Sequence, residues 1–376
     1  MSEQNKIPAR PIQLELFHST KQLNLSEAYE SIPKEVAPKN AAIVWESENI
    51  ALPIEKSFSV DGQTFVSEIK PATLKTGKGK TYKSHFPYFR ELRIEYALIS
   101  LASKQWLGVD YHDGTEPTYK LQVTFYQIQR EIVEAINEQE GRNLKPYDCP
   151  YNTTSLNEGL KILKESSYTV YDASGKKEYS FNRIKDFYRN GDKLIIALGS
   201  MICSYISQGD WNVADAHSIL ASKTYYTMKL KTLLNMKFRY ARRGSFYNPS
   251  FSLLAEKIGF GEYANKRDAI RKMKQLLEGL SEVEYVLMET KKKGRKVVDA
   301  VFQIAPSDQF IGSIIEANRL NRRAKDALVS PKGENVLIEP LESDFQSRRD
   351  YEKVKREYDT KKGQILYSQR HLSPNS

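Results

Sequence analysis

The spacing of apolar residues changes character several times between positions 252 and 304. A short apolar run from Ser252 to Ile258 ends at Gly259 and predicts a short helix with Ser252 as its N-cap. After the turn FGEYA, Ile270, Met273, Leu277 and Leu280 recur at i, i+3, i+7 and i+10, which predicts a longer helix from about Asn265 to Leu280. Two β-prone runs follow, VEYVLME (283–289) and VVDAVFQI (297–304), separated by KKKGRK (291–296).

Helix, turn, helix, strand, turn, strand is the order of a winged helix, whose second helix lies in the DNA major groove while the wing touches backbone. The polar positions support that reading. Arg267, Arg271 and Lys274 fall at i, i+4 and i+7, on the face opposite the apolar stripe, with Lys266 at the helix start. An Arg fork fits guanine O6 and N7, whereas Lys mostly supplies charge to phosphate. A lone basic stripe is more often a solvated face. Here Lys291, Lys292, Lys293, Arg295 and Lys296 crowd the tip of the adjoining hairpin around Gly294, and like charges so placed repel unless an anion is near.

A comparable order precedes this segment. A helix is predicted over 88–106, a strand over 119–123, and a helix capped by Thr124 running to about Glu138. A further helix, capped by Thr153 or Thr154, runs to about Glu165, with Leu156, Leu160 and Leu163 inward and Asn157, Lys161 and Lys164 outward. YTVYD, the turn ASGKK (173–177) and EYSFNRIKDFY complete the unit as its wing. A helix over about 222–238, with Tyr226, Leu230, Leu233 and Leu234 inward, opens the second unit. Residues 1–85 read as mostly irregular and rich in Pro, apart from a hairpin over 58–69 turning at Asp61-Gly62. The fold class expected is therefore α+β: two winged-helix DNA-binding domains in tandem, with irregular N- and C-terminal extensions. The boundaries are 1–86 for a largely flexible N-terminal region, 87–210 and 211–304 for the two units, and 305–376 for a charged tail.

Charge sharpens the division. The chain of 376 residues carries a formal +10. Segment 222–304 alone holds 18 Lys+Arg against 8 Asp+Glu, so the rest of the chain is neutral overall. A basic surface confined to one module is an electrostatic footprint rather than a solubility device. A 40% hydrophobic content can build real cores, while the mean hydropathy of −0.57 fits polar tails. Cys149 and Cys203 make neither a metal pattern nor a disulfide framework, and Cys203 reads as a core residue. The start of the chain has no apolar signal region, and LIIALGSMICSYI (194–206) is too short to span a bilayer, so a soluble cytoplasmic protein with no membrane partner is expected. Catalysis is not expected either. His18, His85, His112, His217 and His371 are scattered, no HExxH or CxxC occurs, and LKTGKGKT has Leu74 where a phosphate-binding loop needs Gly. No cofactor or metal is implied.

KTYYTMKLKTLLNMKF (223–238), FSLLAEKIGF (251–260), RDAIRKMKQLLEGL (267–280) and KKKGRKVVDAVFQI (291–304) resemble theta-type plasmid replication initiators, the TrfA-type above all. The resemblance covers about residues 87–304, and the chain departs from it by inserting RYARRGSFYNP (239–249) between the first two helices of the second unit. It implies binding of double-stranded origin repeats (iterons), opening of an adjacent AT-rich stretch, and recruitment of the host initiator and replicative helicase, with a possible homodimer. A separate pentapeptide, QLELF (13–17), fits the motif by which bacterial proteins dock on the sliding clamp of the replicative polymerase: Leu14, Leu16 and Phe17 as apolar anchor, Gln13 as polar bond. The alternative reading is a winged-helix transcriptional regulator or autorepressor.

Overall fold

The computed structural model describes residues 22–37, 43–60, 62–75, 81–104, 108–110, 118–172, 174–175, 178–208, 212–261, 263 and 265–329, with 352, 355 and 356 besides. Gln13, Leu14, Leu16 and Phe17 lie outside them.

The N-terminal stretch is more ordered than its prolines suggest. It contains β1 (Gln22–Leu25), α1 (Glu27–Ser31), β2 (Ile54–Val60), β3 (Gln63–Lys70), β4 (Ala72–Lys75) and β5 (Tyr82–His85). Pro33, Pro53 and Pro71 fall between these elements, where the missing N–H costs no ladder bond. The hairpin expected near 58–69 is β2–β3, with Val60 opposite Gln63. The described residues between 22 and 85 thus pack as part of the body.

Next come α2 (Phe89–Ser103), β6 (Gly108–Asp110), β7 (Thr118–Thr124), α3 (Phe125–Glu140) and α4 (Thr153–Glu165). Thr124 caps α3 in a reciprocal capping box with Gln127. Asn152 caps α4, its Oδ1 accepting from Ser155 N–H at 2.9 Å, one residue before the threonine expected to do so. Then follow β8 (Ser167–Asp172), β9 (Glu178–Phe181), β10 (Ile184–Asn190), β11 (Lys193–Leu198), α5 (Ser200–Gln208), β12 (Asn212–Asp215) and α6 (Ala216–Leu220).

Strand pairing divides the runs expected as the first wing between two sheets. The β8–β9 hairpin joins β2 and β3 in a four-stranded sheet of order β2-β3-β8-β9. EYSFNRIKDFY is two strands, broken at Asn182-Arg183, where Gly199 passes so close that a Cβ there would stand 1.9 Å from the Asn182 carbonyl oxygen. The second of them, β10, pairs with β11, and the outer edge of β11 takes β7, giving the order β10-β11-β7-β6. Of these strands it is β10 that packs against α4.

The second half contains α7 (Tyr225–Lys237), α8 (Phe251–Lys257), α9 (Lys266–Glu278), β13 (Val283–Lys293), β14 (Lys296–Pro306) and α10 (Asp308–Val329). The free edge of β14 takes bridges from Tyr247 and Ser250, in the segment just before α8. Helix, short strand, two helices and a hairpin whose second strand receives the short strand: the order α2, β7, α3, α4, β10–β11 recurs as α7, Tyr247/Ser250, α8, α9, β13–β14. Ser250, not Ser252, caps α8, accepting from Leu253 N–H at 3.1 Å. The tail beyond 304 is not all irregular, because Phe310, Ile314 and Ala317 share one face of α10 and are buried. Polar neighbours along the same helix hid that stripe.

The described residues form two cores. The first gathers residues from Leu23 to Met228 together with Ala317 of α10, and the second runs from Leu230 to Ile314. Helix α7 belongs to both, which is why it is buried nearly all round. Beneath it lies a charged cluster sealed from water. Glu30, Lys34 and Glu35 come from α1 and the chain after it, Glu95 from α2, Arg183 from the link before β10, and Lys229 from α7. Arg183 pairs with Glu95 and, at 3.1 Å, with Glu35, while Lys229 stands 3.7 Å from both Glu30 and Glu35. Tyr96 donates to Glu30 at 2.8 Å, and Tyr29 donates to Glu95. Three acids and three bases balance, which is what makes their burial tolerable. Burial pulls the Lys34 ammonium down to about 8, against the opposing pull of Glu30. Burial alone would raise Glu35, but Lys229, Arg183, Lys34 and Lys56 hold its carboxyl below the usual range.

Candidate nucleic-acid interface

Helix α9 forms where the sequence places it. Asn265 caps it, its Oδ1 accepting from Arg267 N–H at 3.0 Å, and Asp268 puts an acid in the first turn, where the helix dipole favours one. Ile270, Met273, Leu277 and Leu280 are all buried against the second core. Lys266, Arg267 and Arg271 are exposed, and Lys274 is half-buried. Their placement is not quite the expected one. At about 100° per residue, Arg267, Arg271 and Lys274 centre roughly 110° from the apolar stripe, on its flank rather than opposite it. Lys272, which the periodicity argument passed over, is exposed on the other flank, roughly 120° from the stripe. It was legible as another Lys within the same helical repeat.

The wing is longer than the two apolar runs predict. Each strand has 11 residues, and Lys293 faces Lys296 across the two-residue turn Gly294-Arg295. The lysines taken for a turn are strand residues. Gly294 has φ 61°, a left-handed value that favours a residue without Cβ. At about 3.3 Å per residue the hairpin reaches some 35 Å, against about 20 Å for α9, so its tip overhangs the helix. Lys291, Lys292, Lys293, Arg295 and Lys296 are all exposed on that overhang. None of the five is in an ion pair with a described residue, although Lys291 sits across from Asp299 in the ladder. The Asp299 carboxylate is taken up by Ser252 N–H at 3.1 Å and Ala300 N–H at 2.9 Å.

That bond to Ser252 also fixes the geometry of the surface. It ties the distal half of the wing to the start of α8, and the Lys266 ammonium lies 5.2 Å from the centre of the Phe251 ring in the same first turn. The first turn of α9 and the basic end of the wing are thereby held at one end of the unit. Arg271 is held by Asp268 at 3.0 Å. At the other end, Arg243 pairs with Asp308 through two contacts of 3.1 Å, so this arginine of the 239–249 insertion holds α10.

The corresponding surface of the first unit is different. Lys161 is exposed and Asn157 half-buried. Lys164 is tied to Asp186 on β10 at 2.8 Å and lies over the Phe187 ring. The β4–β5 hairpin packs along α4, and Ile162 is buried as well as the expected Leu156, Leu160 and Leu163. The structure therefore groups Lys266, Arg267, Arg271, Lys274 and the five wing cations, but leaves Asn157, Lys161 and Lys164 on a partly covered helix. The hairpin β10–β11 exposes Lys185, Arg189 and Lys193, which sequence reading did not single out.

Among the described residues no group of three or more His, Cys, Asp or Glu is placed to hold a metal ion. No described helix is long and apolar enough to cross a membrane. Cys149 and Cys203 are buried thiols outside any disulfide among the described residues.

No family model and no curated protein sequence matches the chain. Among solved structures it is similar to domains 2 and 3 of RctB in two crystal structures. One has 13% identity and TM-score 0.42, covering 70% of this chain and 94% of that one; the other has 12% and 0.38, covering 71% and 96%. It is also similar to the Pi initiator protein in complex with iteron DNA, at 16% identity and TM-score 0.40, covering 58% of this chain and 91% of that one.

Proposed function

We propose that this chain is a sequence-specific, double-stranded-DNA-binding replication initiator built on two winged helices in tandem. The observation that carries the reading is the joint placement of α9 and the β13–β14 wing. The net charge of the whole chain is concentrated in that module, and five exposed cations without ion-pair partners among the described residues crowd one hairpin end. A helix of that reach fits a major groove, and the wing beside it reaches backbone. The recurring element order supports a second winged helix in the first half, suited by its covered α4 to protein contacts, a homodimer among them. Binding to repeats beside an AT-rich stretch would strain it towards opening. Host initiator and helicase are recruited to the open region, and the pentapeptide at 13–17 docks the sliding clamp. The protein works in the cytoplasm and catalyses no step.

A nuclease-protection footprint of the purified protein on DNA beside its own gene tests the core of this. Protection of several direct repeats is expected. A single protected operator with no repeats would instead favour a transcriptional regulator. The clamp role has its own test: wild type should retain the clamp in a pull-down, and a Leu16→Ala/Phe17→Ala variant should not, with repeat binding intact in both.

A further inference from the structure

Two acids lie on the polar side of α9: Glu278, which accepts from the Tyr285 hydroxyl at 2.7 Å, and Asp268. Asp268 follows Arg267 directly, and its Oδ1 lies 3.0 Å from Arg271 Nη2. If the helix only gathered phosphates, this carboxylate would be misplaced, since it cancels a cation and repels the backbone it faces. Stability gives it limited purpose. An exposed pair three residues apart adds little, and both side chains are well exposed, Arg271 at 69% and Asp268 at 44%. The helix dipole rewards an acid in the first turn, but Asn265 already caps that turn. Glu278 accepts from a tyrosine hydroxyl and Asp299 from two backbone N–H groups; Asp268 spends its carboxylate on an arginine.

What the contact does achieve is orientation. A free Arg side chain samples many rotamers, and ordering it on binding costs affinity for the right base. Held through one Nη by Asp268, the guanidinium keeps donors free in its plane. That is the arrangement a fork needs to meet guanine O6 and N7 together. We infer that Asp268 is a positioning residue that fixes Arg271 as the reader of one guanine. It trades non-specific attraction for selectivity at a single G·C pair. The inference rests on α9 facing duplex DNA, as proposed above.

Selection from a randomised duplex library with the full-length protein defines the preferred site. Competition with single-base variants of that site then scores Arg271→Ala, Asp268→Ala, Asp268→Asn and the double variant Asp268→Ala/Arg271→Ala. Arg271→Ala should lose about fivefold to a hundredfold discrimination at one G·C pair. Both Asp268 variants should lose most of the discrimination at that same pair, while binding to unrelated duplex holds or tightens. The double variant should be no less selective than Arg271→Ala. Asp268→Asn keeps a polar residue of the same shape in the first turn, so a shared loss cannot be put down to an unfolded helix. The inference is overturned if Arg271→Ala loses its preference and the Asp268 variants do not. It is equally overturned if they lose it at a different pair or weaken on all sequences alike. An Arg271→Ala variant that keeps every preference would sink this inference together with the placement of α9 in the groove.

Discussion

The two halves of this molecule repeat an order of elements and use charge in opposite ways. In the first half, charges turn inward. Arg183, Glu35 and Glu95 are sealed beneath α7, Lys164 is tied to Asp186, and α4 is flanked by the β4–β5 hairpin. In the second half they turn outward, with α9 bare on its polar side and the wing lysines without ion-pair partners among the described residues. Inward charge fixes how parts sit against one another, whereas outward charge of one sign waits for an anion. One topology can thus supply a joint and a contact surface, and the side chains decide which.

Breaking the joint should give the largest effect. Arg183→Met removes the cation shared by Glu35 and Glu95 and leaves buried carboxylates unpaired, which should cost about 3–5 kcal/mol of unfolding free energy by denaturant titration. A loss below about 1 kcal/mol would mean the cluster is hydrated rather than sealed. The contact surface comes next. Arg267→Ala should cost about 1–3 kcal/mol on the preferred duplex, while Lys161→Ala on α4 should stay within about 0.5 kcal/mol on the same duplex. Equal losses would erase the contrast between the halves.

Acid should probe the joint more gently. The cations around Glu35 hold its folded pKa below the ordinary carboxylate value of 4.5. Its contribution is therefore complete above that value and is lost as pH falls through the folded pKa. Lys34, lowered to about 8, behaves differently. Above that pH the unfolded chain holds the proton the folded one has lost, so this group's contribution rises from about pH 8 towards 10.5. Denaturant midpoints should drop below pH 4.5, and drop less in Glu35→Gln. Identical acid profiles for both proteins would contradict the assignment.

Much of the contact surface was legible in the sequence, and the joint was not. The α9 repeat at Ile270, Met273 and Leu277 and the lysines around Gly294 are local signals, each complete within one element. The buried cluster joins residues 66 positions apart, as Tyr96 and Glu30 are, or 88 apart, as Arg183 and Glu95 are. No window along the chain contains it. The split of EYSFNRIKDFY between two sheets was hidden for a related reason: β8–β9 and β10–β11 are both good hairpins by pattern, and only pairing with distant β3 or β7 tells them apart. The helix after Ser307 was obscured because its buried residues, Phe310, Ile311, Ile314 and Ala317, are diluted by polar neighbours.

The salt dependence of duplex binding tests the central claim most directly. The slope of log affinity against log salt should fall by about 0.9 for each phosphate contact removed. Changing Lys291, Lys292 and Lys293 to Gln should therefore flatten it by up to about 2.7 and weaken specific and unrelated duplexes alike. An unchanged slope would take the wing off the DNA and leave the concentration of charge in this module without a partner.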